Sequence, residues 1–260
     1  MLDADVTSSK RAQAVLSFAR KALDGLLPPS CMACDARTER PGSLCPSCWS
    51  AVSIIEPPYC AVLGVPFSHD LGVGVLSAQA IADPPPFETC RSVARYQGPA
   101  RQLVHDLKFR DRTDLAPWMA TLMLRAAREN LQGDALVIPV PLHPTRLLSR
   151  RYNQAAELAR HMAKSMRAEF RYDLLVRHRA TKQQVGLLAK EREANMRGAF
   201  RIPKGMSVEL KGRKVVLVDD VYTTGATMRA CARVLKRAGA SRIDCATFAL
   251  VAPGRSDAHI

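Results

Sequence analysis

Apolar positions recur along this 260-residue chain with two different periods. Between residues 10 and 27, Val15, Leu16, Ala19, Leu23 and Leu26 fall at helical spacing with charges between them, and the stretch ends at Pro28-Pro29. This predicts one short amphipathic helix. Residues 30 to 90 alternate turn formers with short apolar pieces and hold no long periodic segment, which suits a small domain held by something other than a large core. From about residue 91, apolar runs of strand length alternate with helical stretches, the pattern of a parallel sheet with crossover helices. The predicted strands are Ala135 to Val140, Leu174 to Arg177, Lys214 to Asp219 and Ile243 to Ala252. Leu115, Trp118, Met119, Leu122 and Ala126 make one helical stripe, and Ala155, Leu158, Ala159 and Met162 make another behind an Asn153 cap. A third helix runs from about Thr227 to Ala238 and stops at Gly239. No internal repeat stands out. The expected division is a helix over 1–27, a small domain over 28–90, an α/β domain over 91–254 and a tail over 255–260.

Composition narrows the class without naming a function. With 47% hydrophobic and 24% charged residues the chain is neither collagen, coiled coil nor disordered. No segment approaches the 18 or more apolar residues of a membrane span; the longest run, Ala135 to Leu142, has eight and is broken by prolines. Asp3 and Asp5 precede the first basic residues, and Gln13 and Ser17 interrupt the apolar stretch, which does not match a signal peptide. These features predict a soluble, cytoplasmic protein, in which eight cysteines serve as metal ligands or buried thiols. The formal charge of +14 invites a nucleic-acid reading, but aromatics make up only 5% of the chain and no stacking platform is obvious.

Six of the eight cysteines lie in residues 1 to 100. Cys31-Met-Ala-Cys34 and Cys45-Pro-Ser-Cys48 are two Cys-x-x-Cys pairs, each able to bend the backbone so that both sulfurs face one metal. Four thiolates around one tetrahedral Zn²⁺ leave no open position, so the expected role is structural. Four unrelated buried cysteines is the competing reading; a redox pair would need a strand-then-helix setting that neither motif has. Cys60 stands alone, and Cys90, Cys231 and Cys245 read as small buried hydrophobes.

The most informative stretch is Lys214-Val-Val-Leu-Val-Asp219-Asp220-Val221-Tyr222-Thr223-Thr224-Gly225-Ala226-Thr227. A buried strand ends in two carboxylates, and a small-residue loop opens a helix, at the edge where open α/β sheets bind ligands. Successive backbone N–H groups, the hydroxyls of Thr223, Thr224 and Thr227 and the helix dipole can converge on one phosphate. Gly225 lets the backbone approach closely, and the carboxylates suit sugar hydroxyls or a Mg²⁺ shell. A strand that merely ends in a capped turn is the plainer alternative.

The whole string resembles the 5-phosphoribosyl 1-pyrophosphate (PRPP) signature of the type I phosphoribosyltransferases. That resemblance implies that Asp219 and Asp220 address the ribose hydroxyls as catalytic-site carboxylates, and that Val221 to Thr227 bind PRPP around its 5-phosphate. Two further segments narrow it. Ile138-Pro-Val-Pro-Leu-His143-Pro-Thr-Arg146 with Arg150-Arg-Tyr-Asn-Gln154, and Arg177 with Thr181, Gln184, Leu187, Arg192, Asn195 and Phe200, look like the ComF family of competence-associated phosphoribosyltransferases. The family pairs an N-terminal zinc ribbon with a phosphoribosyltransferase domain, a parallel sheet flanked by helices, so the resemblance covers about residues 28 to 252. It implies a pyrophosphate loop in the first segment and a flexible hood in the second. Arg146 is then the leading pyrophosphate contact, with Arg177, Lys182 and Arg192 as hood candidates. Many relatives carry further Cys-x-x-Cys pairs; here Leu63, Ser77 and Ala80 occupy those places, so a second zinc is not expected.

Residues 142 to 201 hold 14 Arg and Lys against five Asp and Glu. Much of the excess charge therefore lies where pyrophosphate would be handled, although a solvated basic surface explains many of these side chains singly. The leading expectation is a Mg²⁺-dependent PRPP-binding phosphoribosyltransferase whose acceptor is not legible. The second is a DNA-uptake protein that binds single-stranded DNA, or acts with the competence machinery, and keeps PRPP as a regulatory ligand. Ordinary nucleobase salvage is the third, and a zinc ribbon is not expected there. Oligomeric state is open.

Overall fold

Along the chain run α1 (Pro46–Ala51), α2 (Ala78–Ala82), β1 (Thr89–Arg95), α3 (Gly98–Phe109), α4 (Ala116–Ala127) and β2 (Ala135–Pro139). They are followed by α5 (Pro144–Arg150), α6 (Gln154–Met166), β3 (Glu169–Phe170), β4 (Val176–Arg177), β5 (Phe200–Arg201), β6 (Lys214–Tyr222), α7 (Ala226–Arg237) and β7 (Arg242–Leu250). This is a computed structural model, and it describes residues 28–131, 134–179 and 196–251. The predicted N-terminal helix, the tail, and Thr181, Lys182, Gln184, Leu187, Arg192 and Asn195 lie outside the described residues.

β1, β7, β6, β2 and β3 form one sheet in that order, parallel at every pairing. Parallel strands are covered on both faces, so their sequences read as continuous apolar runs. β2 is buried at all five positions and β7 at all but its first. α6 begins where predicted: the Asn153 carboxamide oxygen accepts the Ala155 N–H at 3.1 Å, and the helix buries Ala155, Leu158, Ala159 and Met162 against β2 and β6.

Four expectations need correction. Of Leu174 to Arg177, only Val176 and Arg177 are strand, paired antiparallel with β5 outside the main sheet, because Leu174 and Leu175 turn fully into the core. β6 runs on to Tyr222, since Asp219 pairs with Thr247 and Tyr222 with Leu250 across β7. The buried face of α4 carries Ala116, Met119, Ala120, Met123 and Ala127; Trp118, Leu122 and Ala126 flank it. β1 was hidden by its polar residues: Arg91 is buried because its guanidinium donates to the carbonyls of Cys90 and Ala61, and Ser92 pairs with Thr247 at 2.6 Å.

A fifth correction concerns repetition. The chain forms two compact units, residues 1–51 and 52–260. In the first, Cys31 N–H bonds Ala36 O (2.7 Å), Met32 N–H bonds Ser43 O (3.1 Å) and Trp49 N–H bonds Cys45 O (2.9 Å). The start of the second unit reproduces these contacts: Cys60 N–H to Val65 O (2.8 Å), Ala61 N–H to Val75 O (3.0 Å) and Ile81 N–H to Ser77 O (3.1 Å). The single bridges Ser30 to Arg37 and Tyr59 to Pro66 match as well. An internal repeat of two ribbons therefore exists; in the sequence only the family resemblance marks it, because Cys60 is the one ligand-type residue that recurs.

The second ribbon is bonded to the sheet. Cys90 N–H donates to Val62 O at 2.6 Å, Ile55 N–H to Val93 O at 2.8 Å and Arg95 N–H to Ser53 O at 2.9 Å. Cys60, Leu63, Ala80 and Phe87 share one buried cluster with Leu136, Leu217 and Cys245. Gly64 sits against β1 at φ +65°, where a Cβ would lie 2.5 Å from the Cys90 carbonyl oxygen.

Candidate functional site

In the first ribbon the four sulfurs of Cys31, Cys34, Cys45 and Cys48 lie within 4.8 Å of one another, with Cys34 to Cys45 at 3.7 Å. Zn–S bonds of about 2.3 Å in a tetrahedron separate sulfurs by about 3.8 Å, so the cluster has the dimensions of a zinc site. Knuckle N–H groups point at the sulfurs: Cys45 N–H reaches the Cys31 sulfur at 3.2 Å and Cys48 N–H reaches the Cys45 sulfur at 3.4 Å. Burial raises the Cys31 pKa, but N–H donation from Cys45, Ala33 and Cys34 outweighs it and brings the thiol down to about 6. Four thiolates with no open position make a structural zinc centre.

The second ribbon replaces that chemistry with packing. Leu63, Ser77 and Ala80 stand where Cys34, Cys45 and Cys48 stand in the first, and Leu63 is fully buried. The Cys60 sulfur accepts N–H groups from Ser77 at 3.2 Å and Leu63 at 3.4 Å. None of the eight cysteines is in a disulfide.

The predicted phosphate loop leaves the carboxyl end of β6. Val221 and Tyr222 are still strand residues, Tyr222 buried beneath the loop. Gly225 takes the left-handed conformation at φ +78°, and a Cβ there would collide with the Tyr222 ring. Ala226 and Thr227 open α7, which has no side-chain N-cap. Gly225, the N-cap of this 12-residue helix, offers no side-chain acceptor to its first N–H groups. The Thr224 hydroxyl is buried and has no hydrogen-bond partner among the described residues. A buried hydroxyl beside an uncapped helix start fits an oxygen-rich anion as its partner.

Asp219 and Asp220 precede this loop. The Asp220 N–H donates to the Asp219 carboxylate at 2.9 Å. Asp219 keeps some contact with solvent, yet burial, with Asp220 beside it, pushes its pKa up to about 7, against the pull of Lys108 and Arg177. Arg177 is buried on β4, its guanidinium 5.5 Å over the Phe200 ring. Its pKa is lowered by burial and by nearby Arg146, while Cys231 and Asp219 act the other way. Arg146, on α5, is itself lowered by burial and by Arg150. Arg177 is thus near enough to both Arg146 and Asp219 to act on their charges, while Arg192 lies outside the described residues. His143 caps α5, accepting the Thr145 N–H at 3.4 Å.

Sequence reasoning missed Lys108. Its ammonium lies 3.0 Å from the Asp220 carboxylate. It also missed what Arg150-Arg151-Tyr152-Asn153 does: Tyr152 donates its hydroxyl to Leu107 O, Arg151 pairs with Asp111 at 3.0 Å, and Arg150 sits 5.1 Å over the Phe109 ring. The Asn153 amide holds Val140 O at 3.0 Å. No motif around Leu107-Lys108-Phe109 marks these contacts, because each partner is distant in sequence.

Comparison with known proteins finds relatives of both the ribbons and the α/β domain. The double zinc ribbon domain matches residues 22–92 and the phosphoribosyl transferase domain matches residues 153–258. The DNA utilization protein YhgH of Shigella flexneri is 31% identical over 218 residues, 82% of this chain and 86% of that protein. Competence protein F of Haemophilus influenzae is 27% identical over 205 residues, 77% of this chain and 87% of its own length. Competence protein ComFC of Streptococcus pneumoniae is 32% identical over 114 residues, 44% of this chain and 46% of its own.

Proposed function

We propose, from the premise that this chain belongs to the ComF family, which joins a zinc ribbon to a phosphoribosyltransferase domain, that it binds PRPP with Mg²⁺ and transfers its phosphoribosyl group to an acceptor. The observation that carries this reading is the partnerless buried Thr224 hydroxyl beside the uncapped start of α7, with two carboxylates immediately before the loop. The loop holds the 5-phosphate, and Asp219 and Asp220 accept hydrogen bonds from the ribose hydroxyls. Arg146 and Arg177 stabilise the leaving pyrophosphate, which departs from an oxocarbenium-like centre and accumulates charge as it does so. Arg192 belongs to the same proposal as a hood residue. Bound Mg²⁺ would neutralise pyrophosphate charge, with Asp219 and Asp220 as the carboxylates suited to its water shell. A cytoplasmic location belongs to the same proposal, since four thiolates gathered on one metal must stay reduced.

Calorimetric titration of PRPP with and without Mg²⁺ tests this. The wild type should bind only with Mg²⁺ present, and Asp219→Asn with Asp220→Asn should abolish binding. Equal binding by that double variant refutes the assignment.

A second reading is favoured by the relatives named for DNA utilization and competence and by the +14 charge. Here the protein handles single-stranded DNA and PRPP regulates it. Among the described residues no helix is long and apolar enough to cross a membrane. Anisotropy of labelled single strands should then fall steeply with salt and change on adding PRPP; DNA binding indifferent to both would exclude it.

A further inference from the structure

We propose that Lys108 is a positioning residue of the PRPP site, holding the Asp220 carboxylate in place and cancelling its charge so that a polyanion can enter beside two acids. This rests on the PRPP reading above. The Lys108 ammonium and the Asp220 carboxylate are 3.0 Å apart, and their side chains are only 18% and 8% exposed. At that separation and burial the pair is charge-assisted and weakly screened.

The acidic residue of α3 itself does not compete for the lysine. Asp106 is buried and already bound by Gln102 at 2.8 Å and by Arg110 at 3.4 Å, with His105 at 3.6 Å. Lys108 therefore serves Asp220. Its backbone is fixed by the contacts of Tyr152, Arg150 and Arg151 to Leu107, Phe109 and Asp111. Those three residues belong to the segment in which the resemblance places the pyrophosphate loop, so the segment that would meet the leaving group also seats the lysine that serves the ribose carboxylates.

Folding alone gives little reason for the pair, because desolvation of two charges largely offsets their attraction. Binding gives a specific one. PRPP carries a 5-phosphate and a pyrophosphate, and two unbalanced carboxylates would repel it. With Lys108 in place one of the two is neutralised within the protein, and both keep oxygen lone pairs for hydroxyl donors.

The experiment is isothermal titration of the full-length protein with PRPP and with ribose 5-phosphate, both with Mg²⁺, for wild type, Lys108→Met and Lys108→Arg. Lys108→Met should weaken PRPP by about thirtyfold or more, the scale of removing one member of a desolvated charge pair. The loss should be smaller for ribose 5-phosphate, which has fewer charges, and Lys108→Arg should recover most of the affinity. Circular dichroism checks folding, and Lys108→Gln carries the same expectation if the methionine variant does not fold. Unchanged PRPP binding by the neutral variant overturns the role of Lys108 and leaves the PRPP reading intact, as does an equal loss for both ligands, which marks a merely structural pair. A wild type that binds no PRPP overturns the site reading itself, and this inference with it.

Discussion

Removing zinc should unfold the first ribbon and leave the second intact. Residues 28–51 bury few large side chains of their own, Met32 among them, and their four thiolates converge on one point. Metal binding at such sites is worth about 10–16 kcal/mol in small peptides at neutral pH, and it is folding energy where no core replaces it. Residues 52–88 stand differently: Cys60 and Leu63 are fully buried and Ala80 and Phe87 nearly so, in the cluster that also holds Leu136 and Leu217. Here the fully buried Leu63 does what a metal does in the first ribbon. Truncating it to alanine should cost about 2–5 kcal/mol. In a unit of about 200 residues each kcal/mol moves the melting temperature by about 2–4 °C, so Leu63→Ala should lower it by about 4–20 °C. Hydrogen exchange read by mass spectrometry, with and without a tight chelator, checks the asymmetry. Chelation should deprotect peptides from 28–51 and leave 59–81 protected. Loss of protection in both ribbons, two zincs per chain by metal analysis, or an unchanged melting temperature in Leu63→Ala would each refute the reasoning.

Asp219 has a pKa raised from 3.8 to about 7 by burial and by Asp220, so the folded chain holds this proton more tightly than the unfolded chain. Its contribution to stability therefore falls as pH rises through that window, and Asp219→Asn should raise the melting temperature more at pH 8 than at pH 4. A chain beginning at residue 52 should fold, because the unit boundary lies at 51 and 52. One beginning at residue 91 should aggregate, since it loses the bonds from Val62, Ser53 and Ile55 to β1 and uncovers Cys90; solubility and thermal melts decide. Gly64→Ala should destabilise the larger unit by about 1–3 kcal/mol, measured by urea unfolding, because φ +65° and the Cys90 carbonyl both oppose a Cβ.

What sequence reading recovered depended on how local each feature is. The zinc ligands and the loop from Asp219 to Thr227 are contiguous motifs whose residue types fit their chemistry, and the Asn153 cap acts on an N–H two residues away. The inner strands were legible because burial on both faces leaves a continuous apolar run. β1 was not, since an edge strand can carry Arg91 and Ser92 once their polar groups meet partners from Ala61 and Thr247. The sequence marked Cys60, Leu63, Ser77 and Ala80 as the places of a lost metal site, but that they still fold as a second ribbon escaped for a related reason. A metal knuckle is written in cysteines, whereas the same backbone filled with Leu63 and Ala80 is written in residues found everywhere.

The candidate site shows the same limit in its electrostatics. Asp219 and Asp220 are adjacent, so their presence is local, but whether two adjoining carboxylates can face a phosphorylated ligand depends on the cations that fold back onto them. Arg177, on β4, acts on the charge of Asp219, and Lys108 reaches Asp220 from a helix more than 100 residues earlier in the chain. That helix is in turn seated by Tyr152 and Arg151, which stand between Asn153 and the arginines of α5. A strongly basic composition could suggest that such compensation exists somewhere. Only the parallel order β7, β6, β2, with α3 brought to the carboxyl end of β6, decides which lysine supplies it.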